Sequence, residues 1–230
     1  MDASDLPEKE AKVYEKICKK YKVGFDTLKV RDCALKILQV EDLEPLLVGK
    51  DPFADVADFP FWVRLWESAI ILSDVIASLP GGKETKLLEL GAGLGAPGLF
   101  AAAHGYQVTL SDYEPHILDF QRVSAAVNGL NNIEFRIIDW NKPPKLPLYD
   151  KIIGAEILFR KDFFAPLLKI FRKFLAPGGE IYLAHDVRRK SLPAFLNLAE
   201  KYFEIAFSTR KIKDEDSEIT IIVNRLRPLL

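Results

Sequence analysis

From Lys86 onward the chain repeats one pattern. Short apolar runs, "KLLEL", "YQVTLS", "IEFRIID", "YDKIIGAE" and "GEIYLAH", alternate with longer segments near 96–104, 114–128, 162–174 and 190–202 that read as helices. Alternation of this kind predicts a parallel sheet buried on both sides, with the intervening helices as its covers. After the last helix, "FEIAFSTR" and "EITIIVNR" flank the charged "KIKDEDS" with no helix between them, which predicts an antiparallel hairpin closing the sheet at seven strands. Upstream the pattern differs. Residues 7–22 place Val13, Ile17 and Tyr21 at helical spacing, and "FDTLKV" and "LKILQV" alternate apolar and polar positions around "RDCA" as a second antiparallel pair. "VGKDPFADVADFP" (48–60) mixes Gly, Pro and Asp without a period and reads as a loop, and an apolar helix over 66–79 stops at "PGG". The expected division is an N-terminal helix and β-hairpin extension over 1–58 and an α/β domain over 59–230.

The first parallel strand runs into "LLELGAGLGAPG", with Pro97 placed for the first turn of a helix. Glycines there permit positive φ and let a ligand approach the backbone next to the free amides of a helix start. The loop alone fits a dinucleotide or S-adenosylmethionine equally well. Its surroundings separate the two. Glu89 stands two residues before the first glycine, where a carboxylate gives a pyrophosphate nothing but suits a ligand carrying an ammonium and a sulfonium. Asp112, in "TLSDYEP", ends the second strand and can accept both ribose hydroxyls, although an N-cap for the helix that follows is a common alternative use of Asp. Asp139 and Trp140 end the third strand, an acid for an adenine amino group and an indole for its face. Acids at successive strand ends all face the carboxyl edge of the sheet, where open α/β folds bind ligands. No Tyr-x-x-x-Lys pair for hydride transfer accompanies them, which makes an NAD oxidoreductase the weakest reading.

This ordered set, E-x-G-x-G-x-G, then Asp112, Asp139 and "LAPGG" before the fifth strand, resembles the class I, seven-β-strand methyltransferases, whose fold is Rossmann-like with a terminal hairpin. More narrowly, "FWVRLWESAIILSDVIA", "DW" and "GAEILF" resemble methyltransferase family 16, many of whose members methylate lysines on proteins; the likeness covers about residues 59–225. It implies S-adenosylmethionine as cofactor and S-adenosylhomocysteine as product. It also implies a cofactor site of Trp66, Glu89, Gly91, Ala92, Gly93, Gly95, Asp112 with its neighbour Tyr113, Asp139, Trp140 and Ala155. The family's acid-x-x-aromatic signature falls on Glu156 and Phe159, in place of the commoner Asp and Tyr, so the ring is kept and a hydroxyl is lost. Glu156 is then expected to attract and orient a substrate ammonium and Phe159 to wall its channel. Trp62, four residues before Trp66, is expected to be a core anchor.

Composition narrows the alternatives. The 230 residues are 49% apolar, enough for one sizeable core. Lys plus Arg (32) nearly balance Asp plus Glu (33), so no charge excess points to nucleic acid or an anionic membrane. The start lacks an apolar signal core, and no apolar run approaches the roughly 18 residues of a membrane span, so a cytoplasmic, monomeric protein is expected. Cys18 and Cys33 form no C-x-x-C pair and His104, His116 and His185 are scattered, which encodes neither a disulfide framework nor a metal site. His185 and Asp186 end the fifth strand, at the same edge, and could border the substrate entrance. Arg188, Arg189 and Lys190 read as a solvated helix start. The function expected is methyl transfer to a lysine of a protein substrate; a small-molecule N- or O-methyltransferase and a non-catalytic cofactor-binding scaffold are the alternatives.

Overall fold

The computed structural model describes residues 5–44, 48, 60–214 and 217–229. The loop expected over 48–60 therefore lies, apart from Val48 and Pro60, outside the described residues. Helix α1 (Glu8–Cys18) leads into the hairpin β1 (Val23–Val30) and β2 (Cys33–Val40). A short 3-10 turn (Phe61–Val63) precedes α2 (Glu67–Ser78). Then follow β3 (Lys86–Glu89), α3 (Ala96–Ala103), β4 (Gln107–Asp112), α4 (Pro115–Val127), β5 (Ile133–Ile137) and β6 (Tyr149–Ala155). The chain continues through α5 (Phe164–Phe174), β7 (Leu175–Asp186), α6 (Leu192–Ala199), β8 (Phe203–Asp214) and β9 (Ser217–Pro228).

The large sheet has seven strands in the order β5-β4-β3-β6-β7-β9-β8. Pairings from β5 to β7 are parallel, and β9 is antiparallel to both β7 and β8. Every buried strand feeds two cores, because successive side chains point to opposite faces. Leu87, Ile153, Tyr182 and Val223 pack with residues of α2, α3 and α4, while Leu88, Ile152, Ile181 and Leu183 pack with the phenylalanines of α5 and α6. This double duty is why the strands read as continuous apolar runs.

The chain winds outward from β3 through β4 to β5, then returns to place β6 on the other side of β3. Helices leaving β3 and β6 thus diverge, and the crevice between them opens at the carboxyl ends of the strands. The N-terminal elements share the first core: Ile17, Leu35, Ile37 and Leu38 are buried together with Phe100 and Phe120. Side chains of α4 also bind β2. Ser124 Oγ accepts the Leu38 N–H at 2.9 Å, and Asn128 accepts from Lys36 N–H at 2.9 Å while donating to its carbonyl at 2.7 Å.

Candidate active site

The carboxyl ends of β3, β4, β5 and β6 open on one cleft of about 700 Å³. Every residue expected to hold the cofactor borders it, as do Glu156 and Phe159, from Trp66 at one end of the chain order to Phe159 at the other.

The glycine loop forms its floor. Gly91, Gly93 and Gly95 have φ of +58°, +54° and +77°, the left-handed region that disfavours any Cβ. At Gly91 a Cβ would also press on the Trp140 ring at 3.2 Å and on Ile157 at 3.1 Å, so the indole lies directly against the loop. Gln121 supports the loop from below. It is fully buried and donates from Nε2 to the Gly93 carbonyl at 2.8 Å.

Two acids hold the loop from either side. Glu89 Oε2 accepts the Gly98 N–H at 2.7 Å, and Asp112 accepts from Gly93 N–H at 2.8 Å and Tyr113 N–H at 2.7 Å. Burial pushes the Glu89 carboxyl up to about 8, against the pull of the Gly98 hydrogen bond. The same cause raises Asp112 to about 6, opposed by its two amide donors. The helix-cap alternative for Asp112 does not hold: Glu114 is the N-cap of α4, and no side chain caps that helix. Asp139 accepts the Asn141 N–H at 2.9 Å and so fixes the turn that carries Trp140.

A run of aromatic rings crosses the mouth of the cleft. Trp66 meets Phe61 (5.7 Å between centroids), Phe61 stacks on Phe159 (5.0 Å), Phe159 meets Phe163 edge-on (5.4 Å) and Phe163 meets Trp140 (5.0 Å). The Arg64 guanidinium covers the Trp66 ring at 4.5 Å. Trp62 also borders the cleft, and its ring packs against Tyr21, His116 and Phe120.

Glu156 follows the last residue of β6 and adopts φ +54°, a left-handed conformation that is costly for a residue with a Cβ. The turn tucks its side chain toward the end of β7. There Oε1 accepts the Asp186 N–H at 2.6 Å, and Oε2 accepts from Arg189 Nε at 2.9 Å and Nη2 at 2.7 Å. Both side chains are buried, at 6% and 4% exposure. Burial holds the Glu156 carboxyl above its ordinary range, with the Arg189 guanidinium and the Asp186 N–H pulling against it. These contacts are all with donors, which a protonated acid would use less well, so the pair is ionised.

Three features differ from the sequence reading. Arg189 is not part of a solvated helix start but the buried partner of Glu156; the exposed Lys190 and Arg188, 63% exposed in its side chain and paired with Asp186, fit that description. His185 does not border the cleft. It is fully buried, Nε2 accepts the Leu158 N–H at 3.3 Å, and burial lowers its pKa to about 3. Asp186 is likewise turned to Arg188 and buried at 7% exposure. Phe61, Phe163, Gln121 and Arg189 are the site residues that sequence reasoning missed. Phe163 stands four residues after Phe159 and Phe61 five before Trp66, spacings that offered a signal, whereas Arg189 looks like any residue of a charge run.

The residues fit S-adenosylmethionine. An indole lies against a loop with glycine at every second position, and the two acids beside it are buried at a cost that hydroxyl donors and a cation would relieve.

Comparison with known proteins agrees with this geometry. Protein N-lysine methyltransferase METTL21A of Xenopus tropicalis is 29% identical over 148 residues, which span 62% of this chain and 68% of that protein. Histone-arginine methyltransferase METTL23 of Mus musculus is 35% identical over 118 residues, 47% of this chain and 46% of that protein. Among solved structures, the N-methyltransferase NodS from Bradyrhizobium japonicum WM9, in complex with S-adenosyl-L-homocysteine, has a TM-score of 0.58 at 20% identity, covering 81% of this chain and 96% of that one. At that identity the likeness shows the fold alone. The family model described as lysine methyltransferase matches residues 61–202, and the chain belongs to that family of S-adenosylmethionine-dependent enzymes.

Proposed function

We propose that this protein methylates a lysine side chain of a protein substrate, with S-adenosylmethionine as donor. The observation that carries the reading is the single cleft that joins the glycine loop to Glu156 and Phe159. Bound there, the cofactor supplies an electrophilic methyl group on a sulfonium. Gly91 to Gly95 and Trp140 form the bed for it, Asp112 accepts ribose hydroxyls, Asp139 faces the adenine edge and Glu89 stands beside the amino-acid end. Trp66, Ala92, Tyr113 and Ala155 complete the wall.

On the acceptor side the work is positioning, because an in-line displacement needs the amine lone pair opposite the sulfur at roughly 3 Å. Phe159 and Phe61 present ring faces and exclude water. An amine in so apolar a channel loses its proton more readily than in water, where its pKa is about 10.4. Glu156 orients the amine through a hydrogen bond, and the released proton leaves to solvent. Among the described residues no helix is long and apolar enough to cross a membrane. The free thiols of Cys18 and Cys33 favour a reducing compartment, and a cytoplasmic monomer completes the proposal.

Purified protein is expected to gain thermal stability with S-adenosylhomocysteine; no shift and no calorimetric heat would overturn the reading. Labelled cofactor added to a cell lysate is expected to mark discrete protein bands. Glu156→Gln is expected to keep the thermal shift while transfer falls about a hundredfold, and unchanged turnover would remove the role given to this acid.

A further inference from the structure

We infer that Arg189 makes the acceptor site selective for an amine over a guanidinium, by occupying the place on Glu156 that a substrate arginine would need. The inference rests on the methyltransfer reading above and deepens it, since the relatives include enzymes named for both lysine and arginine.

The geometry is that of an arginine already bound. The guanidinium places Nε and Nη2 on Glu156 Oε2, at 2.9 and 2.7 Å, and its carbon lies 5.7 Å from the centre of the Phe61 ring. With the Asp186 N–H on Oε1, three donors take up three of the roughly four lone-pair positions of an ionised carboxylate. What remains suits one N–H. A neutral lysine amine brings such a donor and keeps its lone pair for the methyl carbon. A guanidinium needs two parallel acceptor positions, and they are taken.

Charge separates the two substrates further. Glu156 is paired with the buried Arg189, and the neighbouring Asp186 with Arg188. A lysine can enter beside this paired acid without its proton, which is also the nucleophilic form. An arginine keeps its charge at any working pH and would sit beside a second buried guanidinium in a medium that screens poorly. Arg189 itself is not among the residues bordering the cleft, although Glu156 and Phe61 are. It is therefore a positioning residue, acting through Glu156.

The test compares wild type, Arg189→Lys and Arg189→Ala. Each is incubated with labelled S-adenosylmethionine in a cell lysate, and the labelled protein is hydrolysed so that methyl-lysine and methyl-arginine are counted separately. Wild type is expected to label lysine only. In Arg189→Ala, lysine labelling is expected to fall on the order of a hundredfold, to recover in part with millimolar guanidinium chloride, and to be joined by methyl-arginine. Arg189→Lys, which keeps a cation but not the fork, is expected to be slower than wild type and still lysine-only. The thermal shift with S-adenosylhomocysteine, which each folded variant retains, shows that the cofactor side is intact. Arginine labelling by wild type, or Arg189→Ala labelling lysine at the wild-type rate, would overturn the inference. A wild-type protein without the thermal shift would instead overturn the methyltransferase reading beneath it.

Discussion

Glu89 holds its proton to a higher pH than an ordinary carboxyl does, because it is buried. With a folded value of about 8 against an ordinary 4.5, the native state holds this proton over a pH range in which the unfolded chain has released it. Its contribution to stability is therefore full in acid and is lost as pH rises through the folded value, at up to about 1.4 kcal/mol per pH unit. The apo protein is expected to lose melting temperature between pH 6 and pH 8 (about two units of this range), and Glu89→Gln, neutral throughout, to flatten that slope; a parallel slope in both proteins would show that other groups set it. If the ligand ammonium lies beside Glu89 as proposed, it lowers the carboxyl's pKa, so binding of S-adenosylhomocysteine near neutral pH is expected to release protons. Calorimetry in two buffers of different ionisation enthalpy measures that release, which Glu89→Gln should reduce.

At the scale of elements, α3 lies unusually close to β3 and β4, and Gly98 is the reason. A Cβ there would come within 2.3 Å of the Leu110 side chain and 2.7 Å of Glu89 Oε2. Gly98→Ala is expected to cost about 1–3 kcal/mol and to weaken cofactor binding, because the helix start and the acid move together. Denaturant unfolding with and without S-adenosylhomocysteine reads both effects. The sequence made these elements legible to different degrees. Strands β3, β6 and β7 were readable because their centres are apolar runs buried on both faces, and the glycine loop because three glycines after a strand have few other uses. The ends of elements were less so: β5 stops at Ile137 rather than Asp139, and α6 begins only at Leu192. The Glu156–Arg189 pair could not be read at all. Its partners are distant in sequence and meet only because β6 and β7 are neighbours, and a buried arginine carries no local mark that distinguishes it from its exposed neighbour Arg188.

Across the whole molecule, the N-terminal elements and the sheet are parts of one packing unit. Leu38 is fully buried in the core shared with α3 and α4, and its amide is held by Ser124. Leu38→Ala is expected to cost about 2–5 kcal/mol and to lower the melting temperature of a single cooperative transition. Two separated transitions would show instead that residues before the 3-10 turn unfold independently.

The cleft draws Phe61, Glu89, Asp112, Trp140 and Glu156 from successive segments of the chain, each separated from the next by a helix or a crossover. Nothing local can assemble it. During refolding, helices and the β8–β9 hairpin have short-range contacts to form early, whereas the parallel pairings that bring these residues together close long loops and come late. Ligand-binding competence is thus a report on the last kinetic step, and a chain that has regained its helical signal but binds no S-adenosylhomocysteine is one whose strands have yet to find their order.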